Sequence, residues 1–219
     1  MAYGAQMKKL SPCSDLRVME HLTAACPGLE TLLDAGCGRG ERLAAAAAAF
    51  PKSKRFGIDL DAENAAAARS ACPGAEIVTG DVCALPWEDG RFDAALCECT
   101  LSLLPEPERC LSELHRVLRP AGVLLLSDLI SGGAGPERTL ISPTGAVRYL
   151  ASPAWIEAAA AAADFRIKRY IDCREEYLEM IGQMIFDGAC GCVGPEAFAV
   201  LRKKKTGYGM WILERSRLR

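Results

Sequence analysis

The sequence predicts a layered α/β domain: a seven-stranded, mostly parallel sheet with helices on both faces and an antiparallel last strand. Two observations carry this. Short apolar runs closed by glycine or aspartate alternate with helical stretches, the pattern of repeated βαβ units. Several of the helical stretches are alanine-rich, alanine being the strongest helix former, and are stopped by proline or glycine. Right-handed crossovers between parallel strands then place helices on both sides of the sheet.

In order, residues 12–26 read as an opening helix that stops before Pro27-Gly28. Residues 31–36 are a short apolar run closed by Gly36, as expected of a buried parallel strand. Glu41 to Phe50 is a helix with six consecutive alanines, stopped by Pro51. A second strand runs from Arg55 to Asp59 and a second alanine-rich helix from Ala62 to Ala71. Glu76 to Thr79 and Phe92 to Cys97 are the third and fourth strands. Pro107 to Leu118 is an amphipathic helix with proline in its first turn, where no donor is lost. Val123 to Asp128 is the fifth strand, followed by a glycine-rich loop from Ser131 to Gly135. Another alanine helix spans Pro153 to Phe165, and a sixth strand Arg166 to Cys173. Residues 174–187 are helical, Gly188 to Pro195 is a cysteine-bearing turn, and Pro195 to Lys205 a further helix. Tyr208 to Glu214 is the last strand.

Composition narrows the function classes. Half of the 219 residues are hydrophobic and a quarter charged, ordinary globular usage. A chain of this length buries roughly 70% of its unfolded surface and needs no disulfide or metal to fold. Basic and acidic residues number 26 and 28, net charge −2, which argues against a duplex nucleic-acid partner. No stretch reaches the ~18 apolar residues of a membrane span. Met1 to Leu10 carries Lys8 and Lys9 without an apolar core behind them, so no signal peptide is read and the cytoplasm is expected. The eleven cysteines are then expected to be free thiols. No CxxC occurs; the close pairs Cys97/Cys99 and Cys190/Cys192 are both C-x-C, so no metal site is expected.

In open α/β sheets ligands bind beyond the carboxyl ends of the strands. After the first strand stands Asp34-Ala35-Gly36-Cys37-Gly38-Arg39-Gly40, three glycines at alternate positions. The dinucleotide fingerprint would need glycine at 41, where Glu41 sits. A glycine loop opening a helix attracts anions, but a carboxylate at Asp34 repels a pyrophosphate and welcomes an ammonium or sulfonium. That favours an amino-acid-bearing nucleoside over NAD or ATP. Asp59, about twenty residues past the loop, is placed to accept from ribose hydroxyls. Asp81 closes the third strand with Val82 beside it: the acid can take an adenine amino proton while the valine packs on the ring. A lone strand-end aspartate is an ordinary cap; three, each after its own strand, point to a site.

The set Leu33 to Gly40, Gly57-Ile58-Asp59, Gly80-Asp81-Val82, Phe92-Asp93 and Glu113 to Gly122 resembles the class I S-adenosylmethionine-dependent methyltransferases, most closely the small-molecule branch that includes quinone-biosynthesis methylases. The resemblance covers about residues 30–130 and implies a Rossmann-like fold. It implies that Asp34, Gly36, Cys37, Gly38 and Gly40 hold the methionine moiety of S-adenosyl-L-methionine. Asp59 with Leu60 would hold the ribose, Asp81 with Val82 the adenine, and Cys97 and Glu98 would lie under the methyl-donor sulfur. The expected layout is one domain over 1–219: an N-terminal helical lid at 1–30, a cofactor-binding core at 31–130, and a helical insertion at 174–206 before the last strand.

The expected reaction is in-line displacement of the sulfonium methyl by a small-molecule acceptor, with alignment as the main contribution. Glu98 and Cys99 are the catalytic candidates. Neither histidine is a convincing base: His21 lies in the opening helix, and His115 is expected to be solvated. Phe92 to Thr100 is also similar to arsenite methyltransferases, whose post-strand cysteine matches Cys99, although Glu98 replaces their asparagine and Leu43 stands near their early cysteine. Cys190 or Cys192 would supply further thiols. Thiol-assisted methylation of a metalloid is therefore an alternative, and a non-catalytic cofactor-binding module another. An NAD-dependent oxidoreductase is opposed by Asp34 and Glu41. Arg39, Glu41 and Arg42 are expected in the first helix turn, solvated or salt-bridged. Tyr3 is a candidate lid residue. Tyr177, Met180, Met184 and Phe186 recur at helical spacing, either as core or as an acceptor-pocket wall.

Overall fold

The computed structural model describes residues 11–142, 147–186 and 203–216. In chain order the elements are α1 (Asp15–Ala25), β1 (Thr31–Ala35), α2 (Glu41–Ala49), β2 (Lys54–Asp59), α3 (Ala62–Ala71), β3 (Ala75–Thr79) and β4 (Phe92–Glu98). There follow α4 (Pro107–Val117), β5 (Leu118–Ile130), β6 (Arg138–Leu140), β7 (Tyr149–Ala151), α5 (Pro153–Ala162), β8 (Phe165–Asp172), α6 (Arg174–Phe186) and β9 (Gly207–Arg215). The turn from Gly188 to Pro195, almost all of the expected helix up to Lys205, Tyr3, Cys190 and Cys192 lie outside the described residues.

Local chemistry sets the helix starts. Ser14 caps α1 by accepting from Arg17 N, so this helix begins three residues later than the apolar pattern suggests. Asp61 caps α3 through Glu63 N and Asn64 N, and Ser152 caps α5 through Trp155 N. The end of α5 comes at Ala162 rather than Phe165, because Asp164 adopts φ 59° and starts the turn into β8.

Among the described residues the sheet has nine strands, two more than the expected seven. The seven anticipated strands are all present, in the order β3-β2-β1-β4-β5-β9-β8. Of these only β9 runs against its neighbours, β5 and β8. The two additional strands, β6 and β7, pair antiparallel with each other and join the far end of β5 through Ile130 and Ala151. Each is three residues long, too short to show a period.

Adjacent residues on the central strands feed opposite faces. Leu33, Ala95, Cys97, Leu124 and Leu126 pack with Cys110, Leu111 and Leu114 of α4 and Ile156 of α5. Leu32, Ala94, Leu96 and Leu125 pack instead with Val18, Met19 and Leu22 of α1 and Ala46 of α2. This double burial is what a parallel sheet covered by helices requires. In α6, Tyr177 is buried and Met180 packs against the α1 face, whereas Phe186 is exposed. The sheet thus brings the carboxyl ends of β1, β2 and β4 together in adjacent positions.

Candidate functional site

The loop after β1 is tied to its neighbours at several points. Gly36 N and Cys37 N both donate to Ile58 O at 2.9 Å, and Gly38 N donates to Asp59 Oδ2 at 2.8 Å. Asp59 Oδ1 in turn accepts from Asp61 N at 2.9 Å, so one carboxylate joins the glycine loop to the end of β2. Gly36 has φ 80°, and a Cβ there would stand 2.3 Å from Thr100 Oγ1, which follows β4. Nothing lies within 4 Å of a Cβ built on Gly38, which is the open side of the loop. The contrast yields a prediction. Gly36→Ala should lose about 1–3 kcal/mol to overpacking in addition to left-handed strain, and Gly38→Ala only about 1–2 kcal/mol of strain. Urea denaturation of the two variants checks this, and equal losses would refute it.

Asp34 is 3% exposed and accepts no hydrogen bond from any described residue. Burial pushes its pKa up to about 8, and the nearby Glu98 carboxylate pushes the same way against the pull of Arg42. A nearly buried carboxyl group that accepts from no described residue, at the root of a glycine loop, is complementary to a ligand bearing a cationic N–H donor.

Around this centre Leu60 is exposed and Val82 is buried in the α4 face of the core. Asp81 is exposed, at the end of β3, with Oδ1 accepting from Cys83 N at 2.8 Å. Cys37 is buried, and Cys97 is fully buried on the side away from α1 with Cys110. Burial raises the Cys37 thiol pKa far above its ordinary range, helped by Asp34.

Glu98 belongs to a polar network that sequence patterning does not reveal. Its carboxylate accepts from Arg42 Nε and Nη2, from Ser127 Oγ at 2.9 Å and from Ser11 Oγ at 3.3 Å. Arg42, expected near the surface or salt-bridged, is salt-bridged and only 5% exposed. It also donates to Asp15 Oδ1 at 2.5 Å and Cys13 O at 2.8 Å. Tyr208 Oη lies 3.0 Å from Ser127 Oγ and 3.2 Å from Cys99 Sγ. Burial holds the Cys99 thiol well above its ordinary pKa, so it is a protonated thiol at neutral pH. Both oxygens of the Glu98 carboxylate accept hydrogen bonds, Oε1 from Arg42, Ser127 and Ser11 and Oε2 from Arg42.

His115 corrects an expectation. It is half-buried, edge-on to Phe165 with ring centroids 5.4 Å apart, and its Nε2 is buried without a partner. Burial lowers its pKa, with Arg215 adding to the effect. Among the described residues no group of three His, Cys, Asp or Glu could hold a metal ion.

Residues 33–126 match the family model described as a methyltransferase domain. Over this stretch, a little under half of the chain, the sequence is similar to methyltransferase domains. The matched residues include the glycine loop, Asp59, Asp81 and Glu98. The chain is 37% identical over 112 residues to a fatty-acid O-methyltransferase of Mycolicibacterium smegmatis, covering 49% of this chain and 41% of that protein. It is 30% identical over 126 residues to an arsenite methyltransferase of Halobacterium salinarum, covering 55% of this chain and 32% of that protein. The chain therefore spans about a third to two fifths of the length of these curated relatives. Among solved structures, the [4+2]-cyclase SpnF matches with a TM-score of 0.71 at 22% identity, over 99% of this chain and 86% of that one. That likeness extends the Rossmann-like fold beyond residues 33–126 to nearly the whole chain.

Proposed function

We propose that this chain binds S-adenosylmethionine and catalyses transfer of its methyl group to a small-molecule acceptor. The observation that carries the reading is Asp34 at the root of the glycine loop, nearly buried and accepting from no described residue. It fits the ammonium of an amino-acid-bearing nucleoside and rejects a pyrophosphate. Asp34 would hold that ammonium, with Gly36, Cys37, Gly38 and Gly40 shaping the wall beside it. Asp59 would take the ribose hydroxyls, with Leu60 beside them, and Asp81 the adenine amino group above Val82. The backbone of Cys97 and Glu98 would form the floor at the reacting end. When bound, the cofactor supplies a sulfonium methyl: an acceptor lone pair bonds to the carbon as the carbon–sulfur bond breaks and a neutral thioether leaves.

The chain's own contribution is alignment and exclusion of water, together worth up to about 7–11 kcal/mol in oriented reactions. Glu98 is engaged by Arg42 and two serines, and the Cys99 thiol is protonated, so neither supplies a ready base. An acceptor that arrives already anionic needs none. The acid named in the M. smegmatis relative is of that kind. The protein's charge balance argues against nucleic acid as acceptor. No helix among the described residues is long and apolar enough to cross a membrane, and the cysteine-rich composition fits the reducing cytoplasm.

Calorimetry with S-adenosylmethionine and with NAD tests the reading. Binding of the first and not the second is expected, and the reverse overturns it. Asp59→Ala should weaken S-adenosylmethionine binding by more than about 1 kcal/mol, the scale of a hydrogen bond to a charged group. An unchanged affinity removes Asp59 from the site. The arsenite methyltransferase relative favours a second reading, methylation of a thiol-bound metalloid through Cys99. Arsenite-dependent turnover lost in Cys99→Ser would establish it. Tight cofactor binding without turnover on any acceptor would point to a binding module.

A further inference from the structure

Beyond the cofactor residues, a second, shallow cleft open to solvent lies at the carboxyl ends of β4 and β5. Leu101, Ser102, Asp128, Arg138, Tyr149 and Trp155 line it. It adjoins the first site: Leu101 follows Thr100, whose hydroxyl lies against Gly36, and Asp128 follows Ser127, which donates to Glu98. The β6–β7 hairpin supplies Arg138 and Tyr149.

Arg138 has no carboxylate partner among the described residues. Its neighbour Glu137 is taken by Lys204 at 3.5 Å and Ser131 at 3.1 Å. The guanidinium carbon lies 3.9 Å from the centroid of Tyr149 and 5.3 Å from that of Trp155. Stacking occupies the faces of the guanidinium and leaves its in-plane N–H edge for hydrogen bonds. Of five N–H groups, two are used, on the carbonyls of Leu104 and Pro105. Burial draws its pKa down, against the opposing pull of the Glu108 and Asp128 carboxylates. Arg148, on the same hairpin, repeats the theme: it reaches Leu103 O at 3.5 Å, and its buried Nε has no partner.

Asp128 is the other charged group in the cleft. It is 1% exposed, with one oxygen accepting from Ser102 N at 2.8 Å and the other from Leu129 N at 2.7 Å. The cleft therefore has an anionic inner end, an aromatic wall and a cationic rim.

Resting on the methyl-transfer reading, we propose that this cleft is the acceptor subsite and that the acceptor is a carboxylic acid with an apolar body, its carboxylate held at the free N–H edge of Arg138. A guanidinium pairs with a planar carboxylate through two parallel hydrogen bonds. A single negative charge matches the single arginine that lines the cleft. A phosphate dianion would bring surplus charge toward Asp128. The apolar body would lie along Leu101 and Trp155, toward Gly36.

The test uses the full chain saturated with S-adenosylhomocysteine. Benzoate and 3-phenylpropionate are titrated against benzamide, 3-phenylpropionamide and phenyl phosphate by ligand-detected NMR. The acids should bind about tenfold more tightly than the amides, the scale of one charge-assisted hydrogen bond. Arg138→Gln should abolish that preference while S-adenosylhomocysteine affinity stays unchanged. Because Arg138 also ties down two carbonyls, Arg138→Lys is measured in parallel; it keeps the charge, and its preference should fall between the two. Equal binding of acid and amide, including no binding of either at millimolar concentration, overturns the assignment. So does tighter binding of phenyl phosphate, or a preference that survives Arg138→Gln. Failure of the wild-type chain to bind S-adenosylhomocysteine would overturn the methyl-transfer reading instead, a separable result.

Discussion

Replacing Arg42 with methionine is expected to cost about 3–5 kcal/mol of folding stability, because it leaves the buried Glu98 carboxylate without its cation. The Arg42 and Glu98 side chains are 6% and 8% exposed, so water does little to screen the loss. The same change removes the Arg42 contacts to Asp15, Ser11 and the Cys13 carbonyl, which draw these residues against α2. Replacing both partners, Arg42→Met with Glu98→Leu, should recover much of the deficit, since an apolar pair removes the unpaired charge. Urea denaturation of wild type and both variants checks this. A single-variant loss below about 1 kcal/mol, the range of an exposed ion pair, would show that the network contributes little.

The second large effect belongs to Asp34. With its pKa pushed up to about 8, the folded chain keeps a proton there that the unfolded chain releases near pH 4. Between those values the native state binds more protons than the unfolded one, so this group makes stability fall as pH rises, levelling off above about 8. Asp34→Asn should abolish that component and be the more stable protein at pH 8. For ligand binding the sign reverses. An ammonium beside Asp34 favours the carboxylate, so cofactor affinity should rise with pH up to about 8. Asp34→Asn should bind more weakly by about 1.5–3 kcal/mol and lose that pH dependence. Calorimetry with S-adenosylhomocysteine from pH 6 to 8 measures both. A variant that keeps wild-type affinity and slope would place the ammonium elsewhere.

Much of this architecture is legible in the sequence because it rests on local signals. Asp34, Asp59 and Asp81 can be found since each follows an apolar run, and the alanine stretches separate those runs into strands and helices. The glycines at 36, 38 and 40 announce a backbone that other residues would strain. What stays hidden is set by partners distant in sequence. An arginine in the first turn of a helix reads as a surface or salt-bridged residue; nothing near Arg42 announces that Glu98, 56 positions away, buries it. Arg138 sits in a segment without periodicity, and only the pairing of β6 with β7 brings Tyr149 beneath it. His115 reads as solvated because its helix is amphipathic. Phe165, beyond the following helix, is what covers it. Arg215, at the basic C-terminal end, likewise turns inward to the carbonyls of Arg116 and Leu118.

The hydrogen bond between Tyr208 and Ser11 spans 197 residues and joins the two ends of the described chain. Its strand, β9, lies between β5 and β8, with Trp211 wholly enclosed. During synthesis from the amino end, the floor beneath Glu98 therefore stays incomplete until β9 has emerged. A nascent chain halted before Gly207 presents β5 as an unprotected edge and Ser11 without its tyrosine, a species suited to chaperones and proteases rather than to methyl transfer.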